Sequence, residues 1–434
     1  MTDVIVADAP RTEAPEPIAP QPRRETVARI AALVAGTAVV VAMIYAAGGW
    51  AWVVVVASLI TIIMLHELGH FVTAKWSGMK ATEFFVGFGP RLWSIRKGET
   101  EYGVKALPLG GYVKILGMTS AEELDPSDEP RSYVNQSTSK RVLVASAGSI
   151  VHVLIALLLA IGALFFLGLP TSQGRAAIGA LTVYPHGALS PAERAGIHPG
   201  DLVLAINGRA TPTPQDVANA IQGSHGAALH LTILRGGQRL HLVATPAPSP
   251  LAGAKPGHLY LGVSLATAQV FRHLGLFGAI GLGAVLVGRV TSGTVSSFVH
   301  TFSPSGIGSL AHQVTDAKAG AAASQSPQRT YSMIGALALA ADAARASAFA
   351  LIEILIALNI SLAVLNMLPM LPLDGGHVAI ALYERVRTRK GRAPYRADVN
   401  KLIPVVYAFM AFLLLFVASK MYLDIAHGVA NPFG

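Results

Sequence analysis

His66, Glu67 and His70 fall in the run His66-Glu67-Leu68-Gly69-His70, which follows Ile62-Ile63-Met64-Leu65 without a break. If one helix carries the whole run, the two imidazoles, four residues apart, share a face and can grip one divalent ion. Glu67, between them, is then placed to take a proton from water that the ion activates. That is the chemistry of zinc-assisted hydrolysis. Ionisable side chains in so apolar a stretch mark function more often than packing.

Two imidazoles leave zinc in need of a third protein ligand and an open position. The chain has no cysteine, so any metal site must be built from His and carboxylates. Asp374 is the candidate, in Asn366-Met367-Leu368-Pro369-Met370-Leu371-Pro372-Leu373-Asp374-Gly375-Gly376-His377. The prolines break the helix and the glycine pair permits a sharp turn. Irregular backbone at membrane depth is tolerated only where it lines protein or a cavity. The competing third ligand is Glu353, the one acid inside a late apolar run.

The elements that must position these groups are membrane helices. Of the 434 residues 52% are hydrophobic and only 13% charged, about half the charge of an ordinary soluble domain, with several long charge-free runs. The formal charge of +9 argues little for nucleic acid, because the basic residues lie beside apolar segments. Residues 1–26 read as a disordered Pro-rich tail. Spans are expected at 27–47, 50–73, 142–168, 347–376 and 403–423, the first two split at Gly48-Gly49. Phe277 to Val290 is apolar but Gly-rich and short, so 266–345 reads as an amphipathic or linker region.

Basic clusters at Arg23, Arg24 and Arg29, from Lys75 to Lys114, and from Arg385 to Lys401 fall on one side if there are five spans. The N-terminus is then cytoplasmic, and residues from about 170 to 345 lie outside. Between the second and third spans, 79–117 reads as a β region apolar enough to sit at the membrane. Tyr102 to Lys114 has the features of an edge or interrupted strand, and its backbone could accept another chain. Residues 175–265 read as a small α+β domain with a turn at Asn207-Gly208.

Taken together these motifs resemble the site-2 protease family, intramembrane zinc metalloproteases, in its bacterial PDZ-containing branch of the kind that regulates sigma-factor signalling. Three motifs match in order: His66 to His70 in an apolar helix, Glu99 to Lys114, and Asn366 to Gly376. Ser190 to Asp201 followed by Leu204 to Gly208 is similar to PDZ repeats. The resemblance implies a polytopic α-helical membrane protein with a membrane-associated β region and an inserted α+β PDZ domain.

It also implies one Zn²⁺ held by His66, His70 and Asp374, Glu67 as general base, and Asn366 as a polar contact to the substrate backbone. Tyr102, Gly103, Val104, Gly110 and Gly111 are the expected substrate strand site. The expected reaction is regulated intramembrane proteolysis in the plasma membrane. Its substrates would be single-pass proteins of the anti-sigma-factor type, already shortened by another protease. A peptide ligand for the PDZ domain is a further expected partner. One departure stands out: the family carries Gly-Pro and then Asn after the β region, whereas this chain reads Ala147-Gly148-Ser149-Ile150-Val151-His152. The role of His152 is open at this point. A non-catalytic membrane scaffold built around the PDZ domain is the rival of another class, and a complete ligand set with its base argues against it.

Overall fold

A computed structural model describes residues 23–118, 125–182, 184, 188–211, 213–250, 257–324, 331–389 and 394–428. Most of the Pro-rich tail expected over 1–26 therefore lies outside the described residues, and from Arg23 the chain is helical. The chain divides into two units, one of residues 1–159 with 285–434 and one of residues 160–284.

In the first unit, α1 (Arg23–Gly48) and α2 (Trp50–Trp76) are separated at Gly49, whose φ of 74° interrupts the helix. A long antiparallel pair follows, β1 (Ala81–Lys97) and β2 (Thr100–Ile115). β1 turns at Gly87 and Gly89, both with positive φ, so each strand is used twice. Tyr102 to Val104 pairs with Phe84 to Val86 on one side and with Trp93 to Ile95 on the other. Gly111 to Val113 pairs with Val86 to Phe84 on one side only.

Then comes α3 (Thr138–Gly162), which ends in a wider turn over Ala163–Leu167. A core of Ala74, Met79, Ala81, Ile115, Tyr133 and Val144 joins the end of α2, the hairpin and α3. Glu99, at the hairpin turn, accepts from both Arg131 nitrogens at 2.6 and 2.9 Å and from Lys75 at 2.5 Å. The Arg131 guanidinium, helped by Lys75, holds the Glu99 carboxyl near about 2. This carboxylate favours the folded hairpin above its ordinary range near 4.5, and the contribution is lost as pH falls toward 2. Amide exchange of Thr100 to Lys105, corrected for intrinsic rates, should therefore speed up between pH 5 and pH 3 in wild type and change less in Glu99→Gln.

The second unit carries β3 (Leu169–Leu181), α4 (Pro191–Arg194), β4 (Leu202–Ile206), β5 (Arg209–Ala210), α5 (Pro214–Gly223), β6 (Leu229–Arg235), β7 (Gln238–Ala244) and β8 (Val263–Arg272). Its sheet is antiparallel, in the order β7-β6-β4-β3-β8 with β5 against β4. Asn207 and Gly208, both at positive φ, make the tight β4–β5 turn that an Asn-Gly pair favours. Ser190 and Thr213 start α4 and α5 with reciprocal capping boxes. Ile178, Ile197, Val203, Val217, Leu231 and Ile233 are central to the core. Asp201, 1% exposed, accepts two bonds from Arg235 at 2.7 Å and one from the His198 amide at 2.8 Å.

α6 (Leu276–Thr301) differs from the expected interfacial segment. It is a continuous helix of 26 residues, long and apolar enough to cross a membrane. Its glycines and the single Arg289 made the run look short, but glycine is common in membrane helices. After it come α7 (Pro304–Thr315), α8 (Ala317–Ser324), α9 (Met333–Ala346), α10 (Ala348–Asn366), α11 (Asp374–Arg387) and α12 (Ile403–His427). The expected span over 347–376 is thus two helices, α10 and α11, with the two prolines between them.

Among the described residues, α2, α3 with its terminal turn, α6, α10 and α12 are long and apolar enough to span. Phe302, just past α6, packs on Phe412 and Phe416 in the middle of α12. A Cβ on Gly320 of α8 would lie 2.6 Å from His427 Nε2, and Ser332 donates its amide to Asp424 at 2.7 Å. The chain after α6 therefore turns back along α12 toward that helix's C-terminal end. α9 then packs on the start of α2 through Ala340, Ala341 and Ala344 against Ala51 and Val55, and Arg345 donates to the carbonyl of Gly48 at 2.7 Å.

Candidate metal centre

α2 carries His66 and His70 on one face, both buried, with Glu67 half-buried beside them. Glycines let α3 approach this face. A Cβ on Gly69 would lie 2.8 Å from Val151, and one on Gly148 would lie 2.3 Å from the His66 ring. Close helix approach through small residues is a common membrane packing device. Gly148→Ala should therefore displace His66, and bound zinc measured by elemental analysis should fall, whereas Ala147→Gly should leave it unchanged.

The third element is α11, which begins at Asp374. A Cβ on Gly375 would lie 2.4 Å from Met367 and Leu368 backbone atoms, and one on Gly376 2.6 Å from the Leu371 nitrogen. The proline loop thus folds tightly against the first turn of α11, and only glycine fits there. Farther along, Glu384 of α11 pairs with Arg141 of α3 at 2.5 Å, both side chains under a tenth exposed. Arg396 and the Ala397 amide add further bonds to Glu384. Removing one partner of such a buried pair leaves an uncompensated charge, so this pair ties α11 to α3 firmly. Burial alone would raise the Glu384 carboxyl, but Arg141 and the Ala397 amide outweigh it and hold it below the usual range.

His66 Nε2, His70 Nε2 and Asp374 Oδ2 converge. The separations are 3.2 Å between the imidazoles, 3.4 Å from His66 to Asp374 and 3.3 Å from His70 to Asp374. Ligands about 2.0–2.1 Å from a tetrahedral zinc stand about 3.3 Å apart, so the group has the right size. Its protonation fits too. His70 Nδ1 lies 2.7 Å from the carbonyl of Val144 and must donate to it, which leaves the Nε2 lone pair facing the Asp374 carboxylate. Asp374 Oδ2 is buried with no hydrogen-bond partner. Lone pairs facing one another this closely call for a cation between them. Glu353, the rival ligand, is exposed and outside this group.

Glu67 Oε2 accepts a bond from the Val113 amide on β2 at 3.2 Å. A Cβ on Gly110 would lie 3.5 Å from Ile63 and one on Gly111 2.5 Å from Met64, both on α2, the helix that carries Glu67. The hairpin edge at Gly111 to Val113 thus borders Glu67, beside the converging group. Tyr102, Gly103 and Val104 do not: their strand is paired on both sides, so the expected accepting edge is not there. The sequence shows four strand-like segments but not that β1 and β2 each fold back, which puts Tyr102 to Val104 inside the sheet. Asn366 is the last residue of α10, half-buried, and is not one of the three converging groups.

Three participants were not singled out from sequence as parts of this site: Gly148 under His66, the Val113 amide, and Asn359, fully buried on α10. An Asn in the middle of an apolar span is itself a signal, because a buried amide there must find partners. The other two depend on tertiary contact and carry no local mark.

Comparison with known proteins decides the chemistry. The profile of peptidase family M50 matches residues 54–415. The chain belongs to this family. "Zinc metalloprotease Rip1" of Mycobacterium tuberculosis (strain ATCC 25618 / H37Rv) is 35% identical over 404 residues, covering 85% of this chain and 95% of that protein. The protein of the same name from Mycolicibacterium smegmatis is 32% identical over 397 residues, again 85% and 95%. "Putative zinc metalloprotease CPE1693" of Clostridium perfringens is 30% identical over 343 residues, 78% of this chain and 89% of the relative. This M50 peptidase is a zinc metalloprotease of the site-2 protease kind, and among the described residues His66, His70 and Asp374 converge as a group that could hold the ion.

Proposed function

We propose that the chain performs regulated intramembrane proteolysis, cutting single-span membrane proteins of the anti-sigma-factor type after a first cleavage by another protease. The observation that carries the reading is the place of the ligand group. His66 and His70 lie within α2, itself long and apolar enough to span, and Asp374 follows the equally apolar α10 after a short loop. Zinc, when bound by His66, His70 and Asp374, supplies Lewis-acid polarisation of the scissile carbonyl and acidifies water. Glu67 takes the proton from the attacking water and later delivers it to the leaving amine, so the C–N bond breaks as a new C–O bond forms and the base returns to its starting state.

A membrane helix hides its peptide bonds in internal hydrogen bonds, so a substrate must unwind locally and find replacements. The edge at Gly110, Gly111 and Val113 supports strand addition beside Glu67. A substrate carbonyl that took the Val113 amide would release Glu67 for its work on water. Asn366 is assigned a polar contact to the substrate backbone. Residues 175–265, the part of the second unit that carries the antiparallel sheet and capped α4 and α5, are assigned as the PDZ domain. It would bind a peptide and exclude unshortened substrates outside the membrane.

In this reading the N-terminus is cytoplasmic, the PDZ domain lies outside, and α6 with α7 and α8 forms a re-entrant hairpin. The return of the chain along α12 supports the last point, and it leaves the directions of α10 and α12 unchanged. Single cysteines label without background because the chain has none. Cysteines at Arg239 and Ala346 should react from outside, and one at Arg389 only after the membrane is opened. Labelling at Ala346 only after opening would mean that α6 crosses once and completely, against this topology. The function is tested by trapping: Glu67→Gln expressed in native membranes should retain single-span proteins, identified by mass spectrometry. Recovery of none beyond those held by His70→Ala would contradict it.

A further inference from the structure

His152 lies beside the ligand group and has had no task so far. It sits on α3 one turn beyond Gly148 and is 2% exposed. Its ring centroid is 4.8 Å from that of His66, with the planes at 37°. Its Nδ1 is 3.1 Å from Oδ1 of Asn359. The Asn359 amide nitrogen donates to the carbonyl of Leu355 at 2.8 Å, so turning the amide round would set its oxygen against another carbonyl. Oδ1 of Asn359 therefore accepts from Nδ1–H of His152. The neutral ring then carries its lone pair on Nε2.

Among the described residues the bond to Asn359 is the one hydrogen bond of His152, and it leaves that nitrogen without a protein donor. Nor does His152 belong to the converging group, whose ligand atoms all lie within 4.8 Å of one another. An acceptor without a protein donor, on a ring 2% exposed and against a ligand histidine, is a place for a donor brought by a bound molecule. An unwound peptide brings backbone N–H groups that have just lost their own acceptors.

We propose that His152 Nε2 accepts a hydrogen bond from one backbone N–H of the substrate segment bound beside His66, His70 and Asp374, with Asn359 as the positioning residue that fixes the ring's tautomer. This deepens the peptidase reading and rests on it. The bond needs a neutral imidazole and no proton transfer. His152 would thus anchor the unwound backbone on the side of His66 while the hairpin edge holds it near Glu67.

The test uses the purified, zinc-loaded full chain in lipid nanodiscs and a probe that needs no known substrate: a leucyl-alanyl-leucyl hydroxamate and a set of its mono-N-methyl derivatives, isomers of one another, each methylated at one peptide nitrogen. For wild type, one isomer should bind about tenfold more weakly than the parent, the effect of one lost hydrogen bond. For His152→Phe, which keeps an aromatic ring but no acceptor, the parent should weaken about tenfold and that isomer should lose nothing more. His152→Gln should recover part of the affinity, and zinc content should stay at the wild-type level in both variants. A merely structural role would not remove the penalty at a single peptide position.

Identical penalties for every isomer in wild type and His152→Phe would overturn the proposal, since Nε2 would then hold only water. Zinc loss in His152→Phe would overturn it too, because the ring would be serving the metal. Hydroxamate binding that is indifferent to zinc removal would overturn the peptidase reading and this proposal with it, an outcome distinct from the other two.

Discussion

Glu67→Gln should keep its zinc and lose about a hundredfold to ten-thousandfold in turnover, the usual range for removing a general base. The substitution is nearly isosteric, and the amide oxygen can still accept from the Val113 N–H that Glu67 holds at 3.2 Å. The hairpin edge therefore keeps its seat, and both imidazoles remain in place. What is lost is the ability to take a proton from water and return it to the amine. Cleavage of a single-span reporter and zinc content, measured on the same preparation, separate the two effects. Turnover within a few-fold of wild type would remove Glu67 from the role of base.

Loss of a ligand should give the opposite pattern. Asp374→Asn keeps the shape of the side chain but removes the charge that faces the Nε2 lone pair of His70 at 3.3 Å. His70→Ala removes a ligand whose orientation is fixed through Val144. In each, zinc should fall from about one ion per chain toward none, and activity with it, because two remaining protein ligands hold the ion poorly. His66→Ala should behave alike. Glu353→Ala, on the exposed face of α10, should keep full zinc. Normal zinc and normal turnover in Asp374→Asn would exclude Asp374 from the site, and zinc loss in Glu353→Ala would restore its rival.

These variants also mark how far the sequence could be read. The His66 and His70 pair was legible because an i, i+4 spacing in an apolar run has one geometric meaning. Asp374 was legible because prolines and glycines around a carboxylate have little other purpose at membrane depth. The hairpin was legible as strands but not in its pairing: alternation shows which residues are extended, not that Gly87 and Gly89 turn β1 back so that Tyr102 to Val104 becomes internal. α6 was read too short because its glycines lower apparent hydrophobicity without breaking a helix. Gly148 was passed over because the need for a missing Cβ exists only once the His66 ring is there to fill the space. Asn359 and His152 lie 207 positions apart and meet only in the fold.

The central claim is that this site hydrolyses a peptide bond within a membrane-spanning segment. Intact-mass spectrometry of a shortened single-span reporter, co-reconstituted in nanodiscs with the zinc-loaded chain, tests it most directly. New termini should fall inside the reporter's apolar segment and be absent with Glu67→Gln. Termini only in the exposed flanks, or the same products from Glu67→Gln, would contradict it.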